Sequence, residues 1–385
     1  MNPHRTALTW LFWLAPVVTG GCNAIFGIEP AASGSASSSG SGGATSTAET
    51  SSGSGGTGGA PACPPDRIQP CEPAGGACAS HLLDGTLNNA IRLALSGDFL
   101  FISTDIGIHR ERYDGTQGLD FGAVASGTDG FTVAGDHVYW ANYFNGVVSG
   151  AKIDGTSPTI IAKLPAADTI GSSRVAARGG FVYWTSYTPH AIWRAKDDGS
   201  QQQTPLTVVS ENDPMLKVVA PFSVAVDDTY LYWTDQKDGV RRMPVADIGT
   251  ASAKILDFAI DATAPPTEMV LDQARVYWIS PFGQVSSKAK SADPAEAPLV
   301  YQGAQPDVPV QLTVDETHVY WIARSGAVSR ARKTEGTVEP VVAASLPAPP
   351  DPPKGLAVDC GAIYWNMADP APATKGSLYK AAKGP

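Results

Sequence analysis

Phe222-Ser-Val-Ala-Val-Asp-Asp-Thr-Tyr-Leu-Tyr-Trp233 holds two short apolar runs, Val224 to Val226 and Tyr230 to Trp233, separated by the polar turn Asp227-Asp-Thr. Short runs of Val, Tyr and Trp broken by an Asp-containing turn are the signature of a β-hairpin. The arrangement recurs as Phe131-Thr-Val-Ala-Gly-Asp-His-Val-Tyr-Trp140 and Gln311-Leu-Thr-Val-Asp-Glu-Thr-His-Val-Tyr-Trp321. Further copies end at Trp184, Trp278 and Trp365, and a degenerate first copy, Leu93-Ala-Leu-Ser-Gly-Asp-Phe-Leu-Phe101, ends in Phe. With the final aromatic as anchor, the spacings are 39, 44, 49, 45, 43 and 44 residues.

After each hairpin comes a third run, as in Ile192-Trp-Arg-Ala-Lys-Asp-Asp-Gly199, and then a short aliphatic fourth: Thr159 to Ala162, Leu206 to Val209, Leu299 to Tyr301, Val338 to Val342. Four strands of five or six residues plus turns use about 44 residues, the size of one propeller blade. The predicted fold is therefore all-β: a single β-propeller of seven four-stranded blades, or six if the degenerate copy is not a blade. Val-Tyr-Trp is continuously apolar rather than alternating, as befits a strand covered on both faces by neighbouring blades. The tryptophans accordingly read as core.

The seventh copy, Leu356 to Val358, Ile363 to Asn366 and Ser377 to Lys380, reaches Pro385 without a fourth run, while an orphan segment, His81-Leu-Leu-Asp-Gly85, precedes the first copy. A strand near Ala79 to Asp84 that completes the last blade would leave no unpaired join. Cys63, Cys71, Cys78 and Cys360 allow three disulfide connectivities. Cys360 falls in the first hairpin turn of blade seven, on the face where the borrowed strand begins, which favours Cys78 to Cys360 with Cys63 to Cys71; Cys71 to Cys360 is the rival.

Upstream, Arg5 is followed by a largely apolar run from Thr6 to Val18 and by Thr19-Gly-Gly-Cys22. A positive start, a short apolar run and small residues form a signal peptide, and the run falls short of the about 20 residues that span a bilayer. Gly-Gly-Cys22 resembles the bacterial lipobox, which implies cleavage before Cys22 and lipidation of its thiol; plain secretion with an unlipidated cysteine is the alternative. Residues 31–60 are Ala, Ser, Gly and Thr apart from Glu49. Thirty such residues cannot bury a core and have a coil reach of about 30 Å. The expected organisation is a signal peptide over 1–21, a lipid-anchored stalk over 22–62, a Cys-containing lead-in over 63–78 and the propeller over 79–385.

Tyr230-Leu-Tyr-Trp-Thr-Asp235, followed by Gly239-Val-Arg-Arg-Met243, resembles a repeat of the YWTD propellers of the low-density lipoprotein receptor family, and the pattern extends over about residues 90 to 380. Those propellers usually have six blades. The chain is also similar to bacterial exported proteins with Tyr-Trp blades. The resemblance implies a propeller with a binding habit and names no partner.

A formal net charge of −10 and scattered Lys and Arg exclude a phosphate-gripping surface, so nucleic acid is not an expected ligand. No metal-ligand spacing, cofactor motif or nucleophile elbow is present. His137 and His318 occupy equivalent turn positions, and His109 and His190 lack a second His nearby. Asp136, Asp227, Asp272, Asp315 and Asp359 recur beside the first hairpin turn and read as turn caps.

The loops after each Trp emerge on one face and vary from blade to blade: Asn142-Tyr-Phe-Asn145, Tyr187-Thr-Pro-His190, Asp235 to Asp238, Pro281-Phe282 and Arg324. Tyr143, Phe144, Tyr187, Phe282 and Arg324 are the candidate ligand face, since rings supply contact area and polar groups direction; the competing reading wedges these rings between blades. The expected function is a membrane-tethered binding or scaffold module for protein or glycan at the cell envelope, an exported outer-membrane lipoprotein, monomeric and held to the membrane by its lipid alone. The alternative is a hydrolase or lyase with a site at the central channel.

Overall fold

The computed structural model describes residues 81–84, 91–104, 107–113, 116–121, 128–164, 174–202, 205–259, 266–280, 282–302, 307–342, 353–368 and 376–383. These residues form seven four-stranded antiparallel sheets, so the fold is a seven-bladed propeller and the degenerate first copy is a true blade. In blade 4 the strands are Val224–Val226, Tyr230–Asp235, Gly239–Pro244 and Leu256–Ala259. The first strands of neighbouring blades touch in sequence around the ring, and blade 7 closes on blade 1 through Leu356–Val358 and Arg92–Ser96. First strands therefore surround the axis, and Val-Tyr-Trp lies on the second.

Blade 7 takes its outermost strand from the N-terminal side of the chain. His81–Asp84 pairs antiparallel with Gly376–Ala382, His81 opposite Lys380 and Leu82 opposite Tyr379. Cys22, Cys63, Cys71 and Cys78, with the expected leader, stalk and lead-in, lie outside the described residues.

Successive side chains on a strand point to opposite faces, so Tyr and Trp of one second strand serve different blade interfaces. Tyr232 of blade 4 is buried in one cluster with Trp278 of blade 5, and Tyr277 of blade 5 in the next with Trp321 of blade 6. Tyr139 with Trp184, Tyr183 with Trp233, and Tyr320 with Trp365 repeat the arrangement. At the two remaining interfaces Phe101 meets Trp140, and Tyr364 meets Ile102. Phe101 thus fills the Tyr position and Ile102 the Trp position. Anchoring the first copy on its last aromatic puts it one residue out of register; the paired turns Gly97-Asp98 and Gly135-Asp136 give the correct alignment.

Two hairpin designs divide the ring. In blades 1 to 3 the first turn has two residues, and Gly97, Gly135 and Gly179 supply its left-handed backbone. In blades 4 to 7 the turn has four residues and opens with Asp227, Asp272, Asp315 or Asp359, whose Oδ1 accepts the backbone N–H groups two and three residues on. Asp136 is therefore not equivalent to these four. Their other oxygen does work that a turn cap alone would not need. Lys290 of blade 5 reaches Asp227 of blade 4 at 2.6 Å, and Lys333 and Lys383 reach Asp272 and Asp315 in the same way at 2.5 Å. Tyr277 and Tyr320 donate their hydroxyls to the same Asp272 and Asp315 carboxylates. Each clamp ties a blade to the third strand of the next.

Each first strand starts on the face that carries the second-to-third-strand loops, the loop face, and ends on the face that carries the hairpin turns, the hairpin face. Because His81 pairs near the Ala382 end of its partner, the chain enters the propeller from the hairpin face. Among the described residues no helix is long and apolar enough to cross a membrane.

The clamps carry a pH signature. Burial alone would raise the Asp315 carboxyl, but Lys383 outweighs it and holds the group at about 2, and Lys333 likewise holds Asp272 below its ordinary range. A folded value below the unfolded 3.8 contributes stability that is complete well above pH 4 and lost as pH falls through about 2. Lys333→Met is expected to cost about 1–3 kcal/mol at neutral pH by stranding a desolvated carboxylate. The Lys333→Met/Lys383→Met variant should then lose less melting temperature than the parent between pH 4 and pH 2, as thermal scans across that range would show.

Candidate functional site

With the register corrected, one position just before or at the start of each first strand lies opposite the residue after the Trp position. Going round the ring it holds Arg92, Gly130, Arg174, Ser223, Glu268, Gln311 and Gly355, opposite Ser103, Ala141, Thr185, Thr234, Ile279, Ile322 and Asn366. Blades 1, 3 and 5 are not neighbours, so side chains from them meet only at the axis. They do meet. Glu268 Oε1 accepts Arg92 Nη2 at 2.8 Å, Arg174 Nη2 at 2.5 Å and Gln311 Nε2 at 3.2 Å, and Arg92 Nη1 donates to Gln311 Oε1 at 3.1 Å. The network bridges the channel near the loop face.

Glu268 is buried, and burial pushes its carboxyl up; Arg174 and Arg92 more than reverse this and hold it at about 2. A general acid or base works best with a pKa near the operating pH. Glu268 is therefore a poor proton carrier at neutral pH and a good brace. Sequence reading missed all four residues. The signal was present as ionisable departures, Arg, Arg and Glu, at a repeat position held elsewhere by Gly, Ser or Gln, but the one-residue slip in the first copy put Leu93 in place of Arg92.

In blades 2 to 4 the residue two after Trp caps the loop that follows. Asn142 Oδ1 accepts the N–H groups of Phe144 and Asn145. Ser186 donates to the Pro189 carbonyl at 2.6 Å and accepts from Trp193 Nε1 at 2.9 Å. Asp235, fully buried, accepts the N–H groups of Lys237, Asp238 and Val219. The YWTD aspartate is thus a loop anchor and not a contact residue.

These pinned loops hold large apolar side chains out in solvent. Tyr143 is 41% exposed, Phe144 79%, Tyr187 63% and Phe282 59%, which removes the reading in which they wedge blades together. Met215, from the connection between blades 3 and 4, is 85% exposed and carries no repeat signal in the sequence; Asp213 Oδ1 caps its turn. Tyr143 and Phe144 stand edge to face at 83° with centroids 5.3 Å apart, and Tyr187 stands on His190 at 80° and 5.2 Å. His190 is in turn held by Glu211 through its Nδ1 and its backbone N–H. Arg324 is exposed on blade 6, on the same face but away from this group. Pro281 lies outside the described residues.

The remaining histidines are local. His137 and His318 bond to Asp136 and Thr317 beside them and lie against Tyr139 and Tyr320. His109 sits between Asp120 and Glu111, whose hydrogen bonding raises its pKa above the ordinary value despite burial. Among the described residues no cluster of three His, Cys, Asp or Glu could hold a metal ion.

No protein-family model matches the chain, and no curated protein matches it. Solved structures do. One in a nidogen/laminin complex is 20% identical over 64% of this chain and 94% of its own, with a TM-score of 0.49. A computationally designed protein, Ika8, is 13% identical over 75% of this chain and 83% of its own, with a TM-score of 0.51. YCF48 bound to D1 peptide is 12% identical over 83% of this chain and 98% of its own, with a TM-score of 0.55. At these identities the likeness concerns the fold.

Glu268→Ala should lower stability by about 3–5 kcal/mol, because it strands buried guanidinium charge. Adding Arg174→Met should restore part of that loss. Chemical denaturation of both variants measures this; equal losses would show that Glu268 does not act through Arg174.

Proposed function

We propose that this protein is a non-enzymatic docking module that binds a protein partner through the loop face of its propeller. The supporting observation is the exposed group Tyr143, Phe144, Tyr187 and Met215 on adjacent blades, each on a turn already fixed by side-chain hydrogen bonds. Exposed large apolar groups concentrated on one face mark interaction sites, and fixing them beforehand lowers the entropy lost on binding. YCF48, a propeller of similar fold, is bound to D1 peptide. A channel-centred hydrolase is the weaker reading, because the acidic group at the axis is committed to two guanidiniums.

The module is proposed to be exported, cleaved before Cys22 and held by lipid to the outer membrane of a bacterial envelope. Cys360, which is not free, is proposed to pair with Cys78 across the ring closure. A glycan is the second ligand class, since aromatic rims also stack on sugars.

A photo-crosslinking amino acid at position 187 should yield a protein adduct in an envelope preparation, and the same group at Val300, on the outermost strand of blade 5, should not. Adding Tyr143→Ala and Phe144→Ser should abolish the adduct and leave the melting temperature unchanged; an undiminished adduct would refute the docking face. For the anchor, an alkyne palmitate analogue should label the parent chain and not Cys22→Ala.

A further inference from the structure

The fourth strand of blade 6, Val338–Val342, ends on the loop face, and the first strand of blade 7, Leu356–Val358, starts there. The chain between them reads Ala343-Ala-Ser-Leu-Pro-Ala-Pro-Pro-Asp-Pro-Pro353, with five prolines and three Pro-x-x-Pro spacings, Pro347 to Pro350, Pro349 to Pro352 and Pro350 to Pro353. Proline-rich segments dock on aromatic-lined surfaces because the ring has already restricted their backbone. The loop face carries such a surface: the perpendicular pairs Tyr143 with Phe144 and Tyr187 with His190, on adjacent blades. Lys163, exposed where the fourth strand of blade 2 ends beside the Tyr143 turn, offers a cation to Asp351, the one charge in the segment.

The two features lie on opposite sides of one ring. With blades about 10 Å apart and strands about 4.8 Å apart, the turns sit roughly 18 Å from the axis, so opposite turns are some 35 Å apart. Ten residues fully extended span at most about 35 Å, and a segment fixed at both ends reaches about half of that. The segment cannot reach the aromatic surface of its own propeller. It can reach that of another.

We propose that the loop face is a self-complementary surface on which the proline-rich segment 343–353 of one copy docks against Tyr143, Phe144 and Tyr187 of a second copy, and reciprocally. Such an arrangement is closed and two-fold, each contact made twice. It replaces the monomer expected from sequence and rests on the reading of the loop face as a docking surface.

The test uses the full chain carrying Cys22→Ser, so that no acyl group drives association, and a synthetic peptide of residues 343–353. Sedimentation equilibrium should show a mass rising with concentration from one 40.0 kDa chain toward two. Tyr143→Ala/Tyr187→Ala should hold it at one while its melting temperature is unchanged. The labelled peptide should bind the parent in fluorescence anisotropy, dissociate its dimers, and bind the double variant at least about tenfold more weakly. A chain that stays monomeric at about 100 µM, or a peptide that binds parent and variant alike, overturns the proposal. A monomer that still gives the position-187 adduct with a different protein also overturns it, while leaving the docking face itself intact.

Discussion

The structure depends on one packing contact made at every joint: an aromatic or aliphatic group of one second strand is buried against the bulky residue of the next. Tyr232 with Trp278 and Tyr277 with Trp321 show the rule, and Tyr364 with Ile102 shows that the ring closes by it even where the repeat has decayed. Because Tyr and Trp are consecutive, one dipeptide serves two joints from opposite faces of a sheet. Phe and Trp truncations in cores cost about 3–5 kcal/mol each, so a damaged dipeptide would weaken two joints at once. This accounts for a repeat whose most regular letters carry no ligand.

What the sequence makes legible follows from that constraint. Side chains that must be apolar in every blade repeat, so the seven blades, the strand order and the borrowed strand His81–Asp84 can all be read from the order of residues alone. Features that differ between blades are harder, because their meaning depends on register. Aligning Phe101 with Trp, where Ile102 belongs, moves the first copy by one residue and hides Arg92 among aliphatics. Grouping Asp136 with Asp227 overlooks that one turn has two residues and the other four.

The second oxygen of the turn aspartates could not be read at all. Lys290, Lys333 and Lys383 lie about 60 residues beyond their carboxylates, on a different blade. Pairing at that separation is set by how blades nest, which no local pattern encodes. The same holds for the axis: Arg92 and Glu268 are brought together only because the ring closes. Exposure was legible in part. Loops after Trp differ in sequence and so were open to function, but whether Tyr143 or Phe282 faced solvent or a neighbouring blade depended on the caps from Asn142 and its equivalents.

Face polarity is the last consequence of the topology. The antiparallel order fixes that a chain completing blade 7 from its N-terminal side must enter where the hairpin turns lie, since His81 is set opposite Lys380. The exposed aromatics are then necessarily on the other face. The Asp–Lys clamps sit on the entry side and the Glu268 brace near the docking side. Both ends of the ring are thus held by charge around an apolar middle, which leaves the loop turns as the part free to vary without loosening the blades.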